Sequence, residues 1–100
     1  MLTLNEIKQY IEPILTDSPI HVVTVFGSFA RGTHDDKSDV DIIIDSHGEL
    51  KGIDFFIWAD KIAQILPIKS DIFEAREIKE NSKLKLRIDE EGVIIYERAR

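Results

Sequence analysis

The run Asp39-Val40-Asp41-Ile42-Ile43-Ile44-Asp45 is dense in β-branched residues, yet aspartate stands at both of its ends. Branched side chains suit a pleated backbone, so the run reads as a strand over Asp39–Asp45. Beyond Asp41 it is apolar on both faces, the pattern of a strand in the middle of a sheet with cover on each side. A central strand needs flanking strands and covering helices, and the remaining sequence offers both. A buried carboxylate is costly unless something positive sits beside it, and the only bases between Val25 and Asp45 are Arg31 and Lys37. The cation that balances these acids is the question the sequence poses.

Upstream, Thr3 and Glu6 have capping-box spacing ahead of a helical stripe of Leu4, Ile7, Tyr10, Ile11, Ile14 and Leu15. Pro13 is expected to kink or shorten the last turn of that helix. Ile20–Phe26 reads as a buried strand, followed by one helical turn in Ser28-Phe29-Ala30-Arg31-Gly32. Downstream, Ile53–Leu66 reads as a helix stopped by Pro67, its core stripe being Phe55, Phe56, Trp58, Ala59, Ile62, Ala63, Ile65 and Leu66. Ser70–Ala75 is a third strand, Asn81–Glu91 a helix ended by Gly92, and Val93–Glu97 the last strand. The alternating order predicts an α/β (α+β) domain spanning residues 1–100, with a single mixed sheet of about four strands and helices packed against it.

The hydrophobic fraction of 43% suffices for one core. No apolar run approaches the ~20 residues that cross a bilayer, and the start lacks a basic segment followed by an apolar stretch. Cysteine is absent, which excludes thiolate metal sites. A soluble, cytoplasmic protein with no membrane contact is therefore expected. Acids outnumber bases by 19 to 13, for a net charge of −6, so direct nucleic-acid binding is not expected. A single nucleotide carrying its own metal ions remains compatible with that charge.

Asp39 and Asp41 lie two apart on a strand, so both project from one face with Cα atoms ~6.6 Å apart. Two carboxylates so placed can converge on a hard cation such as magnesium, which takes one or two carboxylates plus phosphate oxygens. Gly27-Ser28 follows a strand and opens a short helix, where unhindered backbone N–H groups and a hydroxyl can meet a phosphate. Each piece alone is ordinary: Asp-x-Asp is common at a solvated strand end, and Gly-Ser is common in turns. A calcium loop does not fit, because its required glycine and closing glutamate are missing. Together, in a strand–turn–helix context, the two pieces form a specific pattern.

That pattern, Gly27-Ser28 followed after ten residues by Asp39-x-Asp41, resembles the signature of the nucleotidyltransferase superfamily that includes DNA polymerase β. The longer stretch from Val25 to Ile44 is similar to the minimal nucleotidyltransferase (MNT) group, and the resemblance extends to the segment Arg87–Glu97. It implies a polymerase β-like fold and a third acid, Asp71, from a following strand. It also implies two Mg²⁺ ions held by Asp39 and Asp41, with Asp71 completing the ion nearest the acceptor. Gly27 and Ser28 would bind the β,γ-phosphates of ATP. Arg31 would reach a phosphate or pair with Asp35 or Asp36; Ser38 would cap the strand entrance or touch the triphosphate.

The MNT group is commonly paired with HEPN ribonuclease toxins. The resemblance therefore implies an antitoxin that transfers AMP from ATP to a toxin hydroxyl, with tyrosine the expected acceptor. The chain's shortness agrees with an acceptor supplied by a partner protein. Two alternatives stand beside this: a non-catalytic antitoxin that acts by occlusion, and a small-molecule nucleotidyltransferase. His21, His34 and His47 are too scattered for a metal triad and are expected to be solvated. Lys83 and Arg87 could face nucleotide phosphates, but a solvated helix face is the expectation.

Overall fold

The computed structural model describes residues 2–98. Its elements run α1 (Leu4–Leu15), β1 (Val22–Phe26), α2 (Ser28–Arg31), β2 (Val40–Asp45), α3 (Ile53–Ile65), β3 (Ser70–Glu74), a 3₁₀ turn (Ala75–Glu77), α4 (Lys83–Glu91) and β4 (Val93–Glu97). The four strands form one mixed sheet in the order β3-β2-β1-β4. β1 is antiparallel to β2 and β4, while β3 lies parallel to β2. Parallel neighbours need a crossover, and α3 provides it. β2 is thus an inner strand, as its composition requires.

The two faces of β2 have different fates. Val40, Ile42 and Ile44 join Val23, Val25 and Ile95 in the core, packed with Ile7, Ile11 and Leu15 of α1 and with Ile62 and Leu66. Each such side chain contributes roughly 1.5–3 kcal/mol by leaving water. Asp41, Ile43 and Asp45 point the other way, in register with Phe26, Thr24 and Val22 of β1. α4 lies over this second face, where Lys85 and Ile88 line a groove with Thr24 and Ile43. Gly92 permits that approach, since a Cβ there would meet the Ile88 carbonyl and the Thr24 methyl.

Local chemistry fixes the element ends. The capping box forms: Glu6 N–H donates to Thr3 Oγ1 at 3.1 Å and Thr3 N–H to Glu6 Oε1 at 3.0 Å. Pro13 removes one backbone donor, but α1 continues through Leu15 and is not shortened. β1 starts at Val22 rather than Ile20, because Ser18 Oγ accepts the Ile20 N–H at 3.1 Å in a preceding turn. Leu66 is extended (φ −79°, ψ 139°), as a residue before proline prefers, so α3 ends one residue early. Asn81 adopts φ 64°, outside the helix, and α4 begins at Lys83 with Ser82 as its cap. Ala75 leaves β3 for the 3₁₀ turn, which Glu74 caps.

Two expected core residues lie outside the core. Tyr10 is 42% exposed and Phe56 67% exposed. α3 is apolar around more of its circumference than one sheet face can cover. Within it only Ile62 is fully buried, while Phe55, Trp58 and Ile65 pack at the core's margin. His47 is exposed, as expected, whereas His21 and His34 are half-buried. His34 stacks on Phe29 with ring centroids 3.9 Å apart, and His21 stacks on His47 at 4.0 Å. No helix among the described residues is long and apolar enough to cross a membrane.

Candidate active site

β1 ends where the acids begin. Phe26 is the register partner of Asp41, and the next residue, Gly27, has φ 76° and ψ −151°. A side chain there would be strained, and its Cβ would collide with the Asp41 carboxylate. The backbone angle calls for glycine, and any side chain there would also displace the Asp41 carboxylate. Ser28 opens α2, and Gly32 (φ 75°) turns the chain out of it, with Thr33 N–H donating to the Ser28 carbonyl at 3.0 Å.

The acids come from two neighbouring strands. Asp39 is exposed and immediately precedes β2, which starts at Val40 rather than at Asp39. Val40 N–H donates to the Lys69 carbonyl at 3.0 Å, joining the starts of β2 and β3. Parallel register then sets Asp71 directly beside Asp41, on strands ~4.8 Å apart. Burial pushes the Asp41 carboxyl above its ordinary range, and repulsion from Asp71 and Asp39 adds to the rise. Arg87 and Arg31 oppose it without cancelling it. The three acids share one electrostatic field that favours a further positive charge.

The donor set suits magnesium: it is all carboxylate, next to a backbone that only glycine can form. The acids are not gathered into a closed cage. Among the described residues, no three carboxylates or imidazoles already have the geometry of a metal site.

Arg31 pairs with neither Asp35 nor Asp36. Its Nη1 reaches both oxygens of Glu91, at 3.0 Å each. Asp35 is engaged locally, accepting from Lys37 N–H at 2.9 Å and from the Ser38 hydroxyl at 3.2 Å. Ser38 Oγ in turn accepts the Asp35 N–H at 3.0 Å. Ser38 thus closes the turn that delivers Asp39.

Glu91 did not stand out in the sequence. Its Oε1 also accepts the Gly27 N–H at 3.2 Å and lies 3.6 Å from Arg87 Nη2. Arg31 holds the Glu91 carboxyl below the usual range, with help from Gly27 N–H and Arg87. Arg87 therefore belongs to the site's surroundings rather than to a purely solvated face. The Arg87–Glu91 spacing of one helical turn was legible. Contact across 64 residues to Gly27 was not.

The fold and this constellation define a class. The polymerase beta nucleotidyltransferase family matches residues 5–100. A Methanocaldococcus jannaschii protein provisionally named a protein adenylyltransferase is 30% identical over 99 residues, covering 95% of this chain and all of its own length. A second relative from the same organism, similarly named, is 32% identical over 93 residues, covering 92% of this chain and 97% of its own. The chain belongs to the polymerase β nucleotidyltransferase family.

In fold it is similar to a chain of a toxin–antitoxin crystal structure with AMP-PNP: TM-score 0.71, 23% identity, 97% of this chain and 75% of that one. It is also similar to a chain of the complex between a tri-AMPylated Shewanella oneidensis HEPN toxin and its MNT antitoxin. There the TM-score is 0.69 at 19% identity, over 96% of this chain and 74% of that one.

Proposed function

We propose that this protein is an MNT-type antitoxin that transfers AMP from ATP to a hydroxyl, tyrosine first, of a HEPN ribonuclease toxin and thereby silences it. The observation that carries this reading is the juxtaposition of Asp41 with Asp71 in register, against the Gly27 backbone. The relatives provisionally named protein adenylyltransferases support it, as do fold neighbours in toxin–antitoxin complexes.

In this mechanism Gly27 N–H and the Ser28 hydroxyl hold the β,γ-phosphates, and Arg31 adds charge to the same end. Asp39, Asp41 and Asp71 would hold the Mg²⁺ that accompanies the nucleotide. When bound, such ions neutralise the phosphates and stabilise the entering and departing oxygens. Asp71 takes the acceptor's proton as its oxygen bonds to the α-phosphorus. The α–β bridging P–O bond breaks opposite, and pyrophosphate departs. Asp41, whose carboxylate is destabilised without a counter-charge, would gain from the metal's charge. The open arrangement of the acids agrees with a site that nucleotide and metal complete together.

The test combines purified protein, ATP, MgCl₂ and a candidate HEPN partner protein, followed by intact-mass measurement. One or more adenylyl additions to the toxin, absent with Asp39→Ala/Asp41→Ala, are expected. A silenced but unmodified toxin would instead favour occlusion. The exposed Ile53 (75%), Phe56 (67%) and Ile57 (49%) on α3 offer a protein partner an apolar surface under either reading.

A further inference from the structure

The groups assigned above to phosphate already hold an anion. Gly27 N–H, Arg31 and Arg87 converge on one carboxylate, that of Glu91, at 3.2, 3.0 and 3.6 Å. The Arg31 contact runs from one nitrogen, Nη1, to both Glu91 oxygens, a charge-assisted contact that a phosphate oxygen could equally accept. Nothing in the local sequence demands it. Arg87 is the helical neighbour of Glu91, but Gly27 and Arg31 lie 64 and 60 residues away. Gly92 lets the end of α4 settle against β1 at Thr24, which brings Glu91 to Gly27. The result is odd on charge alone. Asp39, Asp41 and Asp71 already crowd the site, and the fold adds a fourth acid on top of its two nearby arginines.

We propose that Glu91 is the resident anion of the phosphate cradle: nucleotide must displace it from Gly27 and Arg31, and the strength of that contact sets nucleotide affinity. This rests on the site reading given above. One backbone N–H cannot donate well to a carboxylate and a phosphate at once, so the two occupants exclude each other there. A triphosphate bearing Mg²⁺ offers several oxygens and more charge than one carboxylate, and wins. When pyrophosphate leaves, Glu91 returns, satisfies Arg31 and Gly27 again, and speeds release. The empty protein is thereby spared an unpaired arginine beside its acids, and weak anions are kept out.

Glu91→Gln tests this, because it removes the charge while keeping an oxygen that can accept from Gly27. Titration calorimetry with ATP and MgCl₂ should show at least a tenfold lower Kd for E91Q than for the wild type. An unchanged or higher Kd would overturn the inference while leaving the nucleotide site itself standing. Absence of binding in both proteins would remove both.

A measurement on the unaltered protein guards against a misfolded variant. In a ¹⁵N and ¹³C NMR titration with ATP and MgCl₂, the Gly27 amide, the Arg31 side-chain nitrogens and the Glu91 carboxylate carbon should shift together. Nucleotide binding that leaves the Glu91 carboxylate and Gly27 resonances unmoved would contradict displacement.

Discussion

The two faces of β2 carry the same backbone and alternate residues of one six-residue strand, yet they answer to different physics. Val40, Ile42 and Ile44 are fully buried between sheet and helices. There every side chain lowers the free energy of folding. Asp41 stands between them on the opposite face, partly buried against Gly27 and beside Asp71, where burial and repulsion both disfavour its charge. The first face holds the fold together; on the second, Asp41 is held in place by it, while Ile43 farther along is itself buried. The sheet's rigidity keeps mutually repelling acids in register, an arrangement a flexible loop would relax.

Substitution should separate the faces, and the largest effect belongs to the acids. Asp41→Asn is expected to lower AMP transfer at least about a thousandfold, near 4 kcal/mol of transition-state stabilisation. Initial rates of toxin modification by mass spectrometry measure it. Ile42→Ala, one residue along on the other face, should cost about 2–5 kcal/mol of stability in urea unfolding. Transfer by its folded fraction should change little. A variant at Ile42 that lost chemistry but not stability would dissolve the division between faces.

The same Asp41→Asn should gain stability. Because the Asp41 carboxyl is raised in the folded state, the fold binds that proton more readily than the unfolded chain does. Its protonated form is favoured at low pH, and stability is lost as pH rises through the raised pKa. At pH 7 without metal, Asp41→Asn should therefore melt about 2–5 °C higher than the wild type. The advantage should vanish below the unfolded aspartate pKa of about 3.9. A lower melting temperature at pH 7 would show that the acid stabilises the fold after all.

The smallest effect is expected at Phe56→Ala, about 0.5 kcal/mol or less, because its ring is 67% exposed. Calorimetric melting checks it, and a loss above 2 kcal/mol would restore Phe56 to the core.

What could be read from the chain follows the range of the interactions involved. β2 announced itself through Ile42–Ile44, the capping box through Thr3 and Glu6, and the turn at Gly27 through its place after a strand. These are local patterns. Asp71 was legible only through resemblance, since its value depends on parallel register with Asp41. Glu91 carries no local signal, because its partners Gly27 and Arg31 meet it only after α4 folds over the sheet. Phe56 and Tyr10 misled for a related reason. Helical periodicity ranks apolar faces, but it does not say how wide a stripe the sheet will cover.

Anomalous diffraction from crystals grown with MnCl₂ and a non-hydrolysable ATP analogue tests the central claim most directly. Manganese peaks bounded by Asp39, Asp41 and Asp71, with the triphosphate against Gly27 and Ser28, are the predicted result. Nucleotide bound with no metal at these carboxylates, or metal bound elsewhere, would contradict it.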